Sequence, residues 1–435
     1  MSALAKNSPD LSLALPMCKN SAIMAQRRQA ASLFARTGLP GKRDEDWKYT
    51  DLSAMRRSMG EEWWVPVSRA PVDTAAVDAA LIAGLDADRL VFVDGYFHAD
   101  LSTAPHGVKV VSLAALIESD PDLAEKILAL DEQAPLFNGL VAVNAALAGD
   151  GICICIPDGV CLDRPLYVVQ LAGRPGAVHL RHAISIGHNA KAVVIEHFSG
   201  STSEAGLTNT VTSVCLNEGA RLTHYLLQME GAGQFHIGRI EVKQAHNSSY
   251  ESHAVAMGAT LSRTDIHVDL CEEGAECALY GLYRTGGNQH TDFHTRVDHR
   301  RPDCSSREFY RGILDGGSRA VFNGKVVVHD GADGTDARQA NHNLLLSETA
   351  EIDTKPELEI YADDVKCSHG ATVGQLDDDA MFYLQSRGIG AAKARSMLTF
   401  AFADDVISRM GLQTVRTMLE EQMIGSMPEE LRHHE

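Results

Sequence analysis

Two potential metal ligands stand two residues apart in the stretch DDVKCSHGATVG, which covers residues 363–374. They are the thiol of Cys367 and the imidazole of His369. In a β-strand, residues i and i+2 project from the same face, so both donors can point toward one ion. Thiolate and imidazole together are a ligand set for zinc, iron or an iron–sulfur centre. Two ligands do not complete such a site, so the residues alone leave open whether this is half of a metal site or a pair of ordinary core residues.

A second pair of thiols, Cys153 and Cys155 in the stretch GICICIP, also shares a strand face. The spacing matches a pair of ligands for a soft metal, but thiols bury readily and behave as small apolar groups. We therefore interpret this pair as core. The same interpretation is given to the single cysteines in or near strands, which are Cys161, Cys215, Cys271, Cys277 and Cys304.

Polar and apolar residues alternate in two segments, TDIHVDL and HTDFHTRVDH. Their polar faces carry Asp265, His267, Asp269, His290, Asp292, His294, Arg296 and Asp298. Histidine and carboxylate on one face can ligate a metal. Because the opposite faces are apolar, we expect the polar residues to line the outside of a β-structure. A standalone metal site on the His290–His294 face remains an alternative.

The elements that position these residues fall into three zones. Residues 1–150 read as a mixed, largely helical region, in which SAIMAQRRQAASLFARTG predicts a helix that ends at Gly38. Residues 151–376 predict short β-strands punctuated by turn residues, with no convincing helix. Residues 377–435 predict a helical domain, with one helix in GAAKARSMLTFAFADDVISRM and a second in LQTVRTMLEEQM.

The long middle zone fits either a large β-sandwich or a parallel β-helix. Sandwiches usually stop well short of this length, whereas a β-helix lengthens turn by turn because each turn contacts only its neighbours. We therefore predict a mainly β protein with a parallel β-helix between the two flanking regions. The terminal helices then either cap the solenoid or form a docking surface.

Composition restricts the function classes. With 39 Lys and Arg against 58 Asp and Glu, the net charge is -19, which argues against binding to nucleic acid or to an anionic membrane. The sequence contains no apolar run long enough to span a bilayer, and its first fifteen residues make a poor signal peptide, so we expect a cytoplasmic protein with reduced thiols. The motif GxxxxGK[ST] is absent, so we do not expect the chain to hydrolyse ATP, and the catalytic motifs GxSxG and HExxH are also absent.

Several longer stretches resemble the SufB/SufD family of iron–sulfur cluster assembly proteins. The most specific is ANHNLLLSETAEIDTKPELEIYADDVKCSHGATVG, followed by FYLQSRGI; the others are LPGKRDEDWKYTDLS, IPDGVCLDRPLYVV and RAVFNGKVVV. Together they extend over most of the chain. Members of the SufB branch tend to carry Glu after the corresponding histidine, whereas Gly370 follows His369 here, which favours the SufD branch.

The resemblance implies a right-handed parallel β-helix and a scaffold function without catalysis by this chain. It implies a heterodimer with a SufB-like paralogue through about residues 340–375, and a SufC-type ABC ATPase docked on the C-terminal helices. His369, with Cys367 beside it, would contribute to a cluster site between the subunits, and the other ligands would come from the paralogue. Sulfur would arrive from a cysteine desulfurase system.

Under this interpretation an iron–sulfur cluster or iron is held transiently at the interface, and no cofactor is expected tightly bound to the isolated chain, which could itself form a homodimer. Two alternatives differ in class. One is an intracellular β-helix metal-binding protein that uses the His290–His294 face. The other is a β-helix enzyme acting on polysaccharide, which the low aromatic content of 6% disfavours.

Overall fold

The computed structural model describes residues 9–200 and 204–425. Its body is a parallel β-solenoid of about eight turns between residues 153 and 374, with a mixed helix and strand region before it and helices after it. The predicted parallel β-helix is therefore confirmed, and the alternative of a sandwich is excluded. None of the helices in the described ranges is long and apolar enough to cross a membrane.

The elements that precede the solenoid are α1 (Ser21–Thr37), α2 (Ser53–Met59), α3 (Thr74–Ala80), β1 (Asp88–Val93), β2 (Tyr96–Phe97), β3 (Lys109–Ser112), α4 (Leu113–Ser119), α5 (Pro121–Leu128) and α6 (Gly139–Leu147). The solenoid strands are β4 (Ile152–Ile156), β5 (Leu166–Leu171), β6 (Gly176–Ile186), β7 (Lys191–Gly200), β8 (Gly206–Leu216), β9 (Arg221–Glu230), β10 (Gln234–Gln244), β11 (Ser249–Ala256), β12 (Leu261–Leu270), β13 (Glu276–Thr285), β14 (His290–His299), β15 (Ser305–Leu314), β16 (Arg319–Val328), β17 (Asp336–Leu345), β18 (Glu351–Ile360) and β19 (Lys366–Gly374). The helices that follow are α7 (Asp378–Ser386), α8 (Ala391–Ile407) and α9 (Gln413–Gly425).

Two parallel sheets form the walls of the solenoid. The even-numbered strands from β4 to β18 build one sheet, and the odd-numbered strands from β5 to β19 build the other. Strands β1 and β3 already join these sheets ahead of residue 151, β1 parallel to β5 and β3 antiparallel to β4. The division of the chain at residues 151 and 376 stays a prediction.

Tight corners connect the strands, and two of them show why glycine is needed. Gly219 and Gly274 adopt φ values of 66° and 71°, which favour glycine over any other residue. A Cβ atom on Gly219 would lie 2.3 Å from the amide oxygen of Asn189, and one on Gly274 would lie 2.3 Å from that of Asn247. At these corners the backbone passes so close to the asparagine of the preceding turn that only glycine, which has no side chain, can be accommodated.

The inward-facing residues of both sheets form the main hydrophobic core. The predicted alternation is confirmed: Ile266, Val268, Phe293 and Val297 all belong to this core. Near the far end, aromatic rings stack through the interior, with Phe293 5.5 Å from Tyr310 between ring centroids. Such a core holds each turn against the next along the axis of the solenoid.

The flanking helices pack against the outside of the solenoid. Helix α1 lies on α6, where Arg27 donates hydrogen bonds of 2.9 and 2.8 Å to the carbonyls of Ala146 and Ala148. As predicted, α1 ends at Gly38, which adopts a φ of 70°. Both predicted C-terminal helices are present as α8 and α9, and they pack on the odd-numbered sheet. Helix α7 was not predicted, although Asp377 caps its N-terminus with a side-chain hydrogen bond.

Candidate functional site

The solenoid ends on two strands that are paired on one side only. Strand β18 pairs with β16 and β19 pairs with β17, and within residues 9–200 and 204–425 no further strand pairs with either. Apolar side chains lie exposed at this end, with 42% of Ile360, 63% of Tyr361 and 49% of Val373 accessible. Exposed strand edges and apolar patches are surfaces that other chains use for association.

Cys367 and His369 both lie on the last strand of this end. Cys367 stands opposite Ala337 and His369 opposite Gln339 in the register of β19 with β17. Since Ala337 and Gln339 are buried on the interior face, Cys367 and His369 project from the same face, toward the open mouth of the solenoid. The pair therefore occupies the rim, as expected for residues that a partner chain could reach.

The two side chains differ in burial. Cys367 is half-buried against the small apolar cluster that includes Val328, Ala337 and Val365, whereas His369 is exposed. Burial is the main cause that raises the pKa of the Cys367 thiol above its usual value. The described residues contain no group of three or more His, Cys, Asp or Glu side chains placed to hold a metal ion.

A buried polar rung lies directly beneath His369. The side-chain amide of Gln339 donates a 3.1 Å hydrogen bond to Glu308, which also accepts from the hydroxyl of Thr295. Glu308 is only 2% exposed, and its burial raises the pKa of the carboxyl to about 7 despite these two hydrogen bonds. Glu308, Gln339 and His369 are aligned across β15, β17 and β19. This interior carboxyl was not predicted.

The polar faces of β12 and β14 lie outside the coil, as predicted, but they are not a solvated surface. Asp265, Asp292 and His294 are each at most 3% exposed. The N-terminal region covers them, since Thr50 donates to Asp292 and bonds to His290 at 2.9 Å. The prediction that these residues lie outside the coil is confirmed, and the structure adds a second layer over them, which cannot be deduced from the alternation of one strand.

The side chains that would ligate a metal at the alternative site already form ion pairs with each other and with Arg263. Asp292 lies 2.9 Å from the guanidinium of Arg263 and 3.1 Å from His294. Burial alone would raise the pKa of Asp292, but the charges of His294 and Arg263 outweigh it and hold the pKa well below its ordinary value. The arrangement is that of a structural ionic network rather than a free ligand set.

Asp298 is the centre of a second network on the same surface. It pairs with His267 at 2.9 Å, with Arg296 at 2.6 Å and with His329 at 2.8 Å. The remaining carboxylate of this face, Asp269, pairs with Arg300. Each carboxylate of the predicted polar face therefore already forms an ion pair or a hydrogen bond with an arginine or histidine side chain.

The cysteines divide between core and surface. Cys153, Cys277 and Cys304 are buried, as predicted, and Cys155 and Cys271 are half-buried. The prediction is wrong for Cys161 and Cys215, which are exposed. Cys215 lies on β8 between residues whose side chains point inward, so it faces away from the core. A cysteine in a strand is buried only when its side of the strand is covered.

Comparison with known proteins explains this architecture. Residues 169–402 match the model of the SUF system FeS cluster assembly SufBD core domain, and residues 15–168 match that of the SufBD protein N-terminal region. This chain belongs to the SufBD family. As a SufBD protein it is an iron–sulfur cluster assembly protein of the SUF system.

Named relatives of this SufBD protein cover nearly its whole length. It is 34% identical over 387 residues to the iron–sulfur cluster assembly protein SufD of Escherichia coli, covering 88% of both chains. It is 31% identical over 418 residues to an iron–sulfur cluster assembly SufBD family protein of Synechocystis, covering 93% of this chain and 91% of that one. A third relative is the chloroplastic protein ABCI7 of Arabidopsis thaliana, which is 28% identical over 435 residues.

Proposed function

We propose that this SufBD protein is a scaffold subunit that pairs with a SufB-like paralogue through the open end of the solenoid. The unpaired edges of β18 and β19 are the observation that carries the proposal. A parallel strand from a second solenoid would supply the missing main-chain hydrogen bonds and cover Tyr361 and Val373. Association would bury a surface that is costly to leave exposed.

The cluster under assembly is the cargo of this interface. His369 provides one nitrogen donor at the rim, and Cys367 beside it provides a sulfur donor that is partly shielded from water. The paralogue contributes the remaining ligands, so the coordination sphere is complete only when both chains are present. Such an arrangement lets the cluster be released when the two chains move apart.

The C-terminal helices are the proposed docking surface for a SufC-type ATPase. Helices α8 and α9 fix this region to the solenoid through Val406, Ile407 and Val415, all fully buried. Helix α7 carries Phe382 and Tyr383 with 72% and 56% of their surface exposed. Large exposed aromatic residues are typical anchors of protein interfaces. ATP hydrolysis is thereby assigned to the partner.

Co-purification tests the two surfaces separately. The chain is expressed with the SufB-like paralogue and the SufC-type ATPase of its own organism, and the complex is isolated by an affinity tag on this chain. Val373→Asp places a charge at the open end and is expected to remove the paralogue while the ATPase remains. Phe382→Asp on α7 is expected to have the opposite result.

The two variants serve as controls for each other, since each keeps the surface that the other lacks. Both residues are exposed, so neither substitution disturbs the core. Retention of the paralogue by the Val373 variant would contradict the assignment of the open end. Retention of the ATPase by the Phe382 variant would contradict the assignment of α7.

A further inference from the structure

The thiols of Cys153 and Cys155 form a close pair at the start of the solenoid, at the opposite end of the coil from His369. Their sulfur atoms lie 3.9 Å apart on the outer face of β4. Cys153 is buried beneath α5, in a cluster with Ala124 and Leu128, and Cys155 is half-buried. Neither residue takes part in the proposed assembly site.

A cavity opens onto this pair. It has a volume of about 380 Å³ and lies between α5 and the outer face of the even-numbered sheet. Both cysteines line it, together with the basic side chains of Lys126, Arg181 and Lys243 and the acidic side chains of Asp131 and Glu241. Lys109 stands directly opposite Cys155 in the register of β3 with β4. A small ion can therefore reach the two cysteines, and Lys109 favours negative charge on Cys155.

We propose that Cys153 and Cys155 bind a single Cu(I) ion between their sulfur atoms. Metal–thiolate bonds are about 2.3 Å long for zinc, so two sulfurs on one ion lie no more than about 4.6 Å apart. The observed separation of 3.9 Å falls within this limit. The two ligands are thus already spaced for a shared ion without movement of the strand.

The alternative of a disulfide fits the geometry less well. A disulfide needs a sulfur separation of about 2.05 Å, and Cα atoms of alternate residues on a strand are about 6.6 Å apart, near the upper limit for such a bond. The side chains of Cys153 and Cys155 leave the strand in parallel, so closing the bond would distort β4. A bridging ion avoids this distortion.

The choice of ion follows from the donor set. Thiolate ligands select Cu(I), zinc or iron–sulfur clusters. Zinc and clusters require about four protein ligands, and the described residues offer no group of three or more His, Cys, Asp or Glu around a common centre. Two-sulfur coordination is sufficient for the monovalent ion, because Cu(I) is soft and accepts low coordination numbers.

Proton balance is consistent with this ligand pair. The hydrogen bond from Cys153 lowers the pKa of Cys155 to about 6, while the same bond and burial raise the pKa of Cys153 above its ordinary value. Binding of Cu(I) forms two copper–sulfur bonds and displaces any proton held on the two sulfurs, which leaves to solvent, so neither sulfur nor copper changes oxidation state.

Anaerobic competition with a chromogenic Cu(I) chelator tests the proposal on the full chain. The wild type is expected to withdraw one equivalent of Cu(I) from the chelator, and the Cys153→Ser and Cys155→Ser variants are expected to withdraw none at the same chelator concentration. The Cys161→Ser variant removes an exposed thiol that does not line the cavity, and it serves as a matched control that behaves as wild type.

Alkylation mapping of the wild type gives a readout that does not depend on any variant. Added Cu(I) is expected to protect the half-buried Cys155 from a thiol-alkylating reagent, and added Zn²⁺ is expected to leave it reactive. The proposal is overturned if the two serine variants withdraw as much copper as the wild type. It is equally overturned if Cys155 stays reactive in the presence of Cu(I).

Discussion

The guanidinium of Arg263 lies 3.8 Å from the centre of the indole ring of Trp47. Arg263 is on β12, whereas Trp47 belongs to the stretch LPGKRDEDWKYTDLS near the start of the chain. Arg263 also donates a hydrogen bond to the carbonyl of Asp46. This contact holds the N-terminal region on the flank of the solenoid and buries the ionic network of β12 and β14.

Arg263→Met is expected to destabilise the protein by about 3–5 kcal/mol, the cost of leaving buried charges unpaired. Arg263 is fully buried and lies 2.8 Å from Asp265 and 2.9 Å from Asp292, so its loss leaves Asp265 without its cation and Asp292 with His294 alone. The measurement is the free energy of unfolding in urea.

Arg338→Met is the matched control for that substitution. Arg338 also pairs with an aspartate, Asp336 at 3.1 Å, but 61% of its side chain is exposed. Exposed pairs contribute about 0–1 kcal/mol, so this variant should unfold close to the wild type. An equal decrease in the free energy of unfolding for the two variants would show that burial does not determine how strongly the ion pairs of Arg263 stabilise the protein.

Glu308→Gln is expected to change how stability depends on pH. Burial raises the pKa of Glu308 from 4.5 to about 7 in the folded protein, so the folded state holds the proton more tightly than the unfolded state. The contribution of Glu308 to the free energy of unfolding is therefore largest below the pKa that this group has in the unfolded state. It falls by roughly 3 kcal/mol as the pH rises through the pKa of the folded state. Glutamine carries no such titration.

Urea unfolding of both proteins at pH 4.5 and pH 7.5 checks this prediction. The stability of the Glu308→Gln variant relative to the wild type should rise between the two values, and Glu348→Gln, at an exposed position, should follow the wild type. A constant difference between the Glu308 variant and the wild type would mean that folding does not change the pKa of Glu308.

Gly281→Ala is expected to destabilise the solenoid by about 1–3 kcal/mol through overpacking. A Cβ atom on Gly281 would lie 2.0 Å from the ring of Tyr310, which is fully buried and cannot move aside. Gly370→Ala is the control, since nothing lies within 4 Å of its Cβ position. Thermal unfolding of the two variants should separate them, and a similar melting temperature for both would contradict the packing described here.

His369→Ala is expected to abolish iron–sulfur cluster maturation in cells while stability and partner binding remain. His369 is exposed, so its truncation should change the free energy of unfolding by no more than about 0.5 kcal/mol. Activity of a cluster-dependent reporter enzyme in cells that lack the native gene provides the measurement. Cys367→Ser is expected to impair maturation as well.

Ser368→Ala is the matched control, because Ser368 is exposed on the same strand but projects from the opposite face. It should support maturation as the wild type does. Normal maturation with the His369 variant would remove this residue from the proposed assembly site.

Local patterns were sufficient to predict the strands of the middle zone, while the length of that zone and the resemblance to the SufB/SufD family favoured the solenoid. Strand alternation depends on nearest neighbours, so it placed Ile266 and Val268 inside and Asp265 outside. The pair Cys367 and His369 could be assigned to one face for the same reason. The contacts that cover Arg263 and Asp292 could not be predicted, because Trp47 and Thr50 come from more than two hundred residues earlier in the chain.

The polar residues inside the coil could not be predicted either. Glu308 and Gln339 occupy inward positions that pattern reasoning reserves for apolar side chains. Their hydrogen bond joins neighbouring turns, and such a pairing becomes visible only when the register of β15 and β17 is known. The motif LPGKRDEDWKYTDLS was noticed for its resemblance alone, and the structure adds a physical role for its Trp47.

After Gly374 the chain turns back along the flank of the solenoid, so that α8 packs beside β13 and β15 and α9 packs on the same odd-numbered sheet. Within residues 9–200 and 204–425, no element therefore covers the terminal turn, where most stacked-coil proteins carry a cap. Under the proposed function, a second copy of this chain and the paralogue would compete for the open end, and the ratio of the two gene products in the cell would set how many chains enter the mixed assembly.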